Sequence, residues 1–281
     1  MSDAPIYPCS LSLTRKIEDF PIGGMPLHVH HELLRKDALE NGSIHPQAWL
    51  DAKDCELFSN PDVRTLVDAE GTALAWLDES PDLSKSTVAI VSFVILHPWD
   101  LLKANEQVVA ALPESLWLGE VHPMAVIEGI VLIGEGTRIL PGVFIEGNAI
   151  IGENCKIGPN CYIRGNTSIG DNCHIGQSVE IKNCLILSKT NVGHLSYIGD
   201  SVLGEKVNLG AGTTTSNLRH DGKNHHSMIG DELIDTGRRK FGTIIGDGVH
   251  TGINTSIYPG RKLWPNTTTR PGEIVQKDLL F

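Results

Sequence analysis

Isoleucine returns on every sixth residue at Ile127, Ile133, Ile139, Ile145, Ile151, Ile157, Ile163, Ile169, Ile175 and Ile181, and Leu187 extends the series. A period of six is neither helical nor a strand alternation; it describes a short strand followed by a turn. Three such units make one triangular coil, and stacked coils make a parallel β-helix with the isoleucines turned inward. Each fully buried isoleucine contributes roughly 1.5–3 kcal/mol of transfer free energy. Four residues after the isoleucine the side chain is small or β-branched, as at Thr137, Val143, Cys155, Cys161, Thr167, Cys173 and Val179. Glycine often follows the isoleucine directly (Gly134, Gly152, Gly158, Gly170, Gly176), and Asn148, Asn154, Asn160, Asn166 and Asn172 keep the same period. Both residue types are expected at corners, where the backbone needs positive φ. Scarce aromatics, 5% of the chain, suit narrow coils better than a bulky core.

The period then slips. After Leu187 the next inward candidates are Val192, Ile198, Leu203 and Leu209, at steps of five, six, five and six. A shortened side must distort a corner or re-aim a side chain, and His194 and Tyr197 lie between the slips. Arg164 precedes Lys182 by eighteen residues, one whole coil, so the two cations are expected on one face, each directly after an inward isoleucine. A guanidinium beside an ammonium suits a phosphate; two solvated surface cations are the plainer alternative.

Net charge −11 gives no basic face for nucleic acid. The six cysteines form no CxxC pair, and no apolar run reaches signal-peptide or membrane-spanning length. The expectation is a cytoplasmic chain with reduced thiols and no membrane partner. Cys155 and Cys173, one coil apart, are expected as buried fillers.

The segments VEIK (Val179–Lys182), GHLSYIGD (Gly193–Asp200), VNLGAGT (Val207–Thr213) and SNLRHDGKN (Ser216–Asn224) closely resemble the acetyltransferase domain of the bifunctional glucosamine-1-phosphate acetyltransferase/N-acetylglucosamine-1-phosphate uridylyltransferases. GRRKFGTIIGDGVHTGINTSIYPG (Gly237–Gly260) looks like the archaeal-type members. The resemblance runs from about Val121 to Phe281. It implies a left-handed parallel β-helix, a homotrimer with active sites between subunits, and acetyl transfer from acetyl-CoA to glucosamine 1-phosphate without a metal. It matches His194 to the general base, whose pKa range suits the task. Arg164, Lys182 and Tyr197 match phosphate-holding groups, and Lys223 keeps one further phosphate contact. Glu180 and Asn208 match contacts to the sugar. Asn217 matches a residue near the acyl-transfer centre, where hydrogen-bond donors stabilise a developing oxyanion. Ala211 matches a position beside the thioester, and Gly210 and Gly212 let the cofactor approach the backbone.

Leu218 stands where many members carry Tyr, and His225 or His226 where a basic residue is expected. Both departures favour an acyltransferase with another amino-sugar or nucleotide-sugar acceptor. Residues 216–240 break the repeat; they are expected to form a solvated loop or an arm reaching a neighbour's groove. The repeat resumes in phase at Ile245, Thr251, Ile257 and Leu263.

Residues 1–110 lack the repeat and are expected to form a small α/β domain ahead of the β-helix at 111–281. PLHVHHELLRKDAL and PWDLLKANEQVVAAL read as helices and STVAIVSFVIL as one buried strand. PWDLLKANE (Pro98–Glu106) resembles the segment joining a sugar nucleotidyltransferase domain to its β-helix. The front half is therefore expected to be a reduced nucleotidyltransferase relative, without the glycine-rich nucleotide loop and without uridylyltransferase activity. This half also keeps open a non-catalytic reading, a β-helix that assembles or regulates a nucleotidyltransferase. His28, His30 and His31 are expected as polar helix residues rather than a metal site.

Overall fold

The computed structural model describes residues 11, 13–39 and 42–280. The expectations for the first ten residues, including Cys9, lie outside the described residues. The chain forms two compact units, one comprising Arg15–Pro21 and Met25–Leu96, the other Ile22–Gly24 and the chain from His97 onward.

The first unit is α/β. Its helix Leu27–Asp37 is followed by a four-stranded sheet in the order Ser43–Ile44, Ala73–Trp76, Thr65–Val67, Ser86–Val88. Leu66, Leu74, Ala75 and Val94 are part of its core. The expected single strand STVAIVSFVIL is instead two strands, Ser86–Val88 and Phe93–Val94. The cause is the buried Asp54, whose carboxylate accepts from the N–H groups of Ile90, Val91 and Ser92 and from the Ser92 hydroxyl at 2.6–3.0 Å. Those N–H groups are lost to any strand ladder, and Ile90 is left 83% exposed. The three histidines go separate ways. His31 Nε2 lies 2.7 Å from the Ala48 carbonyl, His28 Nδ1 3.0 Å from that of Glu18, and the His30 ring meets Trp49 edge-on. Among the described residues no group of three or more His, Cys, Asp or Glu is placed to hold a metal ion.

The second unit is the expected mainly β architecture, a left-handed parallel β-helix. Its three faces are two eight-stranded sheets and one six-stranded sheet, all parallel. Ile145, Ile163, Ile181 and Ile198 stack in register on one face; Ile139, Ile157, Ile175, Val192 and Leu209 stack on another. These side chains are 0–3% exposed and form one continuous core. Asn154, Asn160 and Asn172 occupy corners at φ of 50–56°. Gly158 shares that reason, at φ 97°, but Gly134 and Gly170, which also follow isoleucine, have a different one. A Cβ on Gly134 would lie 2.6 Å from the backbone of Gly152 one coil on, and one on Gly170 would lie 2.7 Å from Ser188. They are small because successive coils nearly touch there.

The slip also falls elsewhere than the isoleucine count suggests. Ile186, not Leu187, is in register with Ile169, and Leu203 stands over Ile186. The two short steps are therefore Ile181 to Ile186 and Ile198 to Leu203, both crossing the same corner of the prism on successive coils. Asn183 and Asp200 occupy that corner, at φ of 53° and 49°.

The helix Pro98–Ala110 begins with Pro at its first turn and a reciprocal cap between His97 and Asp100. It belongs to the β-helix unit, so the compact division falls after Leu96 rather than near residue 110. The buried Asn105 ties it down by accepting 2.6 Å from the Ser168 hydroxyl.

The segment 216–240 leaves the β-helix at the corner that holds Asn183 and Asp200. It carries a hairpin, His226–Ile229 with Glu232–Asp235. The Phe241 N–H donates to the Asn217 carbonyl at 3.0 Å, closing the root of this arm. The next strand, Thr243–Ile245, pairs in parallel with Val202–Leu203, so the coils continue in phase. The arm folds back onto its own chain. Ser227 donates to the Gly260 carbonyl, and the buried Lys262 ammonium reaches Ser227 Oγ at 3.0 Å, the Met228 carbonyl at 2.5 Å and Asp278 at 2.6 Å.

Candidate functional site

The face that carries Arg164 presents two rows of outward side chains. In one, Glu146, Arg164, Lys182 and Gly199 are successive cross-strand neighbours; in the other, Tyr162, Glu180, Tyr197 and Thr214. The eighteen-residue spacing thus places Arg164 and Lys182 on adjacent coils. Neither cation stands alone. Arg164 donates from Nε to Glu180 Oε1 at 2.8 Å and lies 5.5 Å over the Tyr162 ring. Lys182 Nζ lies 2.6 Å from Asp200 Oδ2 in an almost fully buried pair, the two side chains 12% and 4% exposed. The pairs cancel in charge, so an anion arriving here shares its cations with Glu180 and Asp200.

Asp200 is the residue that the sequence reading missed. Its Oδ2 takes both the Lys182 ammonium and the Asn217 Nδ2, the latter at 2.5 Å, and its Oδ1 takes Asn183 Nδ2 at 3.0 Å. Asn217 Nδ2 also donates to the Tyr197 hydroxyl at 3.0 Å. Lys182, Tyr197 and Asn217, three positions scattered along the sequence, are therefore gathered around one carboxylate. The sequence signal for it was the second short step of the repeat. Burial, reinforced by Asp200 and Glu180, raises the Tyr197 pKa, so this side chain remains a phenol.

His194 ends the strand Asn191–His194, across from Gln177, and its ring is solvent-exposed. Its carbonyl is fixed by Ser196 Oγ at 2.8 Å and the Gly212 N–H at 3.2 Å. Leu195 turns the corner at φ 52°, a conformation that costs a non-glycine residue about 1–3 kcal/mol. Tyr197 opens the next strand, so base candidate and phenol flank one strained corner. On the preceding coil, burial, Lys156 and His194 lower the His174 pKa.

The remaining candidates are more dispersed. Asn208 is exposed in the row of Asn191, two coil positions beyond His174. Lys223 is exposed on the arm, beyond the Arg219–Asp221 ion pair. His225 is buried, with Nε2 3.0 Å from the Asn217 carbonyl, and burial lowers its pKa. It braces the root of the arm and does not replace a phosphate-binding cation. Ala211 is half-buried at a corner whose glycines have packing reasons of their own. A Cβ on Gly210 would lie 2.6 Å from Gly252, and Gly212 has φ 76°. Beside Asn217 a groove of about 550 Å³ runs between Leu218, Arg219 and His220 of the arm and Tyr258 and Pro259 of the last coils.

A family model described as the GMPPB C-terminal domain matches residues 145–268. A bifunctional sugar-1-phosphate nucleotidylyltransferase/acetyltransferase of Sulfurisphaera tokodaii is 41% identical over 182 residues, 65% of this chain and 45% of that one. The bifunctional protein GlmU of Methanococcus aeolicus is 42% identical over 182 residues, 65% of this chain and 44% of that one. The resemblance carried by the four motifs is thus one to GlmU-type proteins over the C-terminal part. The chain spans less than half the length of these curated relatives. Among solved structures, the acetyltransferase domain of PglB from Neisseria gonorrhoeae in complex with acetyl coenzyme A aligns at a TM-score of 0.25 and 16% identity, covering 65% of this chain and 68% of that one. A likeness that loose says nothing about chemistry.

Proposed function

We propose that the chain is an acetyl-CoA-dependent N-acetyltransferase acting on an amino-sugar phosphate, with glucosamine 1-phosphate as the acceptor. The observation that carries this reading is the gathering of Lys182, Tyr197 and Asn217 around Asp200, with the Arg164–Glu180 pair in the adjoining rows and His194 one corner away. Similarity to relatives named as acetyltransferases supports it. In this reading His194 accepts a proton from the sugar ammonium. The freed amine forms a bond to the acyl carbon as the C–S bond breaks, the proton held by His194 passes to the departing thiolate, and the second proton that the nitrogen loses on becoming an amide leaves to solvent. Arg164, Lys182 and Lys223 share the phosphate, Tyr197 donates to it, and Glu180 and Asn208 hold the sugar. The acyl donor lies beside Ala211, Gly210 and Gly212. A trimer supplies the facing wall, and the cytoplasm supplies acetyl-CoA.

A second reading, a β-helix that assembles or regulates a sugar nucleotidyltransferase, is favoured by the match to a model described as the GMPPB C-terminal domain. Thiol release from acetyl-CoA separates the two. Release with glucosamine 1-phosphate, and not with glucosamine, galactosamine 1-phosphate or buffer, supports the first reading in full. Release with a different amino sugar moves the acceptor. No release from folded protein with any of them leaves the second.

A further inference from the structure

Asn217 has two side-chain N–H groups and one carbonyl. Its Nδ2 faces both Asp200 Oδ2 and the Tyr197 hydroxyl, so both hydrogens are engaged. The orientation is not interchangeable. Asp200 Oδ2 already receives the Lys182 ammonium, and a carboxylate oxygen held that way accepts and does not donate. An inverted Asn217 would set its carbonyl against that oxygen. The side chain therefore has one polar atom left for a ligand, Oδ1, and that atom is an acceptor. This reverses the role that the resemblance implies, a donor to a developing oxyanion.

We propose that Asp200 is a positioning residue that locks Asn217 as a hydrogen-bond acceptor, so that Asn217 receives an N–H or O–H of the acceptor substrate rather than stabilising the acyl oxygen. The proposal rests on the acetyltransferase reading for the identity of that substrate. Asp200 is equipped for such a task. It is 3% exposed and held at left-handed φ by the second short step. Behind it stands a second tier. Asn183, at the same corner one coil earlier, bonds both Asp200 Oδ1 and Glu106 Oε1, the latter at 2.6 Å. Glu106 projects from the helix Pro98–Ala110 and also receives both terminal nitrogens of Arg238, near the arm's return, at 2.5 and 3.2 Å. The helix, two coils and both ends of the arm thus converge on the carboxylate that orients Asn217.

The test is a double-mutant cycle on Asp200→Asn and Asn217→Ala, read as kcat/KM for the hexosamine phosphate and separately as KM for acetyl-CoA. Asp200→Asn keeps the shape and lets Asn217 invert. The single variant is expected to lose about 100-fold in kcat/KM for the acceptor, with KM for acetyl-CoA unchanged within about twofold. In the Asn217→Ala background the same change is expected to cost at most about tenfold, the part that acts through the unpaired Lys182 ammonium. Multiplying losses, or an equal rise in KM for acetyl-CoA, overturns the proposal. Asn183→Ala, which loosens Asp200 without altering it, is the milder companion if Asp200→Asn does not fold. It is expected to act in the same direction, about tenfold, and again to be silent in Asn217→Ala. Urea unfolding of the four proteins reads the Asp200–Asn217 tie without substrate, with an expected coupling of about threefold or more in the unfolding constant. If the wild type acetylates no amino sugar, the functional reading fails on its own. Absence of coupling in urea overturns the positioning role whatever the wild type acetylates.

Discussion

Lys262→Met tests how the arm is held. The Lys262 side chain is 2% exposed, and its ammonium serves Asp278, Ser227 and the Met228 carbonyl at once. Methionine fills a similar volume without the charge. Removing one partner of a buried ion pair costs about 3–5 kcal/mol, chiefly because the other charge is left buried. Asp278 is 14% exposed and keeps the Lys262 backbone N–H at 2.9 Å. It can recruit water, which sets the expectation at the lower end, about 3 kcal/mol. That corresponds to a fall of about 1 M in the urea midpoint. The hairpin strand His226–Ile229 loses two of its anchors, so cleavage at its exposed turn, Gly230–Asp231, is expected to accelerate under limited proteolysis. Adding Asp278→Asn, which replaces the stranded charge by an amide, is expected to restore part of the midpoint. A Lys262→Met midpoint within about 0.3 M of wild type, with unchanged cleavage at the turn, refutes the reasoning.

Gly199→Ala puts a Cβ 2.5 Å from the Tyr197 hydroxyl and 2.7 Å from Asn217 Nδ2. Thiol release is expected to fall at least about tenfold for a stability loss of about 1–3 kcal/mol, measured by urea unfolding alongside the assay. Burial pushes the thiols of Cys55, Cys161 and Cys184 up to about 12. Iodoacetamide at about pH 8 is expected to label none of the three until urea is added, as read by peptide mass spectrometry. Burial lowers the pKa of His31, with Arg35, His30 and His28 adding to the effect, so it folds as the neutral imidazole. The unfolded chain binds that proton more readily. The stability His31 contributes is therefore complete above the ordinary histidine range and is lost as pH falls toward the folded value. His31→Gln, which can still donate to the Ala48 carbonyl, is expected to flatten the fall in unfolding midpoint between about pH 7 and about pH 5.

The β-helix was legible because burial enforces the sixfold period: an isoleucine that leaves the ladder leaves the core. Where two apolar residues stand side by side, the period loses that power. Ile186 and Leu187 are both buried, and only cross-strand register shows that Ile186 continues the stack. Reading the first slip as Leu187 to Val192 instead of Ile181 to Ile186 hid Asn183; the second, Ile198 to Leu203, was placed correctly and spans Asp200, but a short step does not say which of its residues carries the site. Arg164 and Lys182 were placed on one face correctly by coil arithmetic, but their carboxylate partners come from another strand or the next coil. In the first unit, STVAIVSFVIL looks like a buried strand because composition cannot show that the distant Asp54 competes for its N–H groups. Leu27–Asp37 and Pro98–Ala110 were readable because helix signals are local.

The arm enters and leaves through one gap, closed by the Phe241 N–H on the Asn217 carbonyl and the Gly242 N–H on the Asp200 carbonyl. Other coils span the same corner with two residues between strands, such as Gly165 and Asn166, or Asn183 and Cys184. The two sides of the gap therefore stay one corner apart whatever lies between them, and the coil after the arm inherits its phase from Leu203 rather than from the arm. Length and chemistry at the hairpin tip, Gly230 and Asp231, can vary without shifting the register of the stack. The β-helix acts as a fixed chassis with one exchangeable fitting, mounted directly above the carboxylate around which the candidate site is assembled.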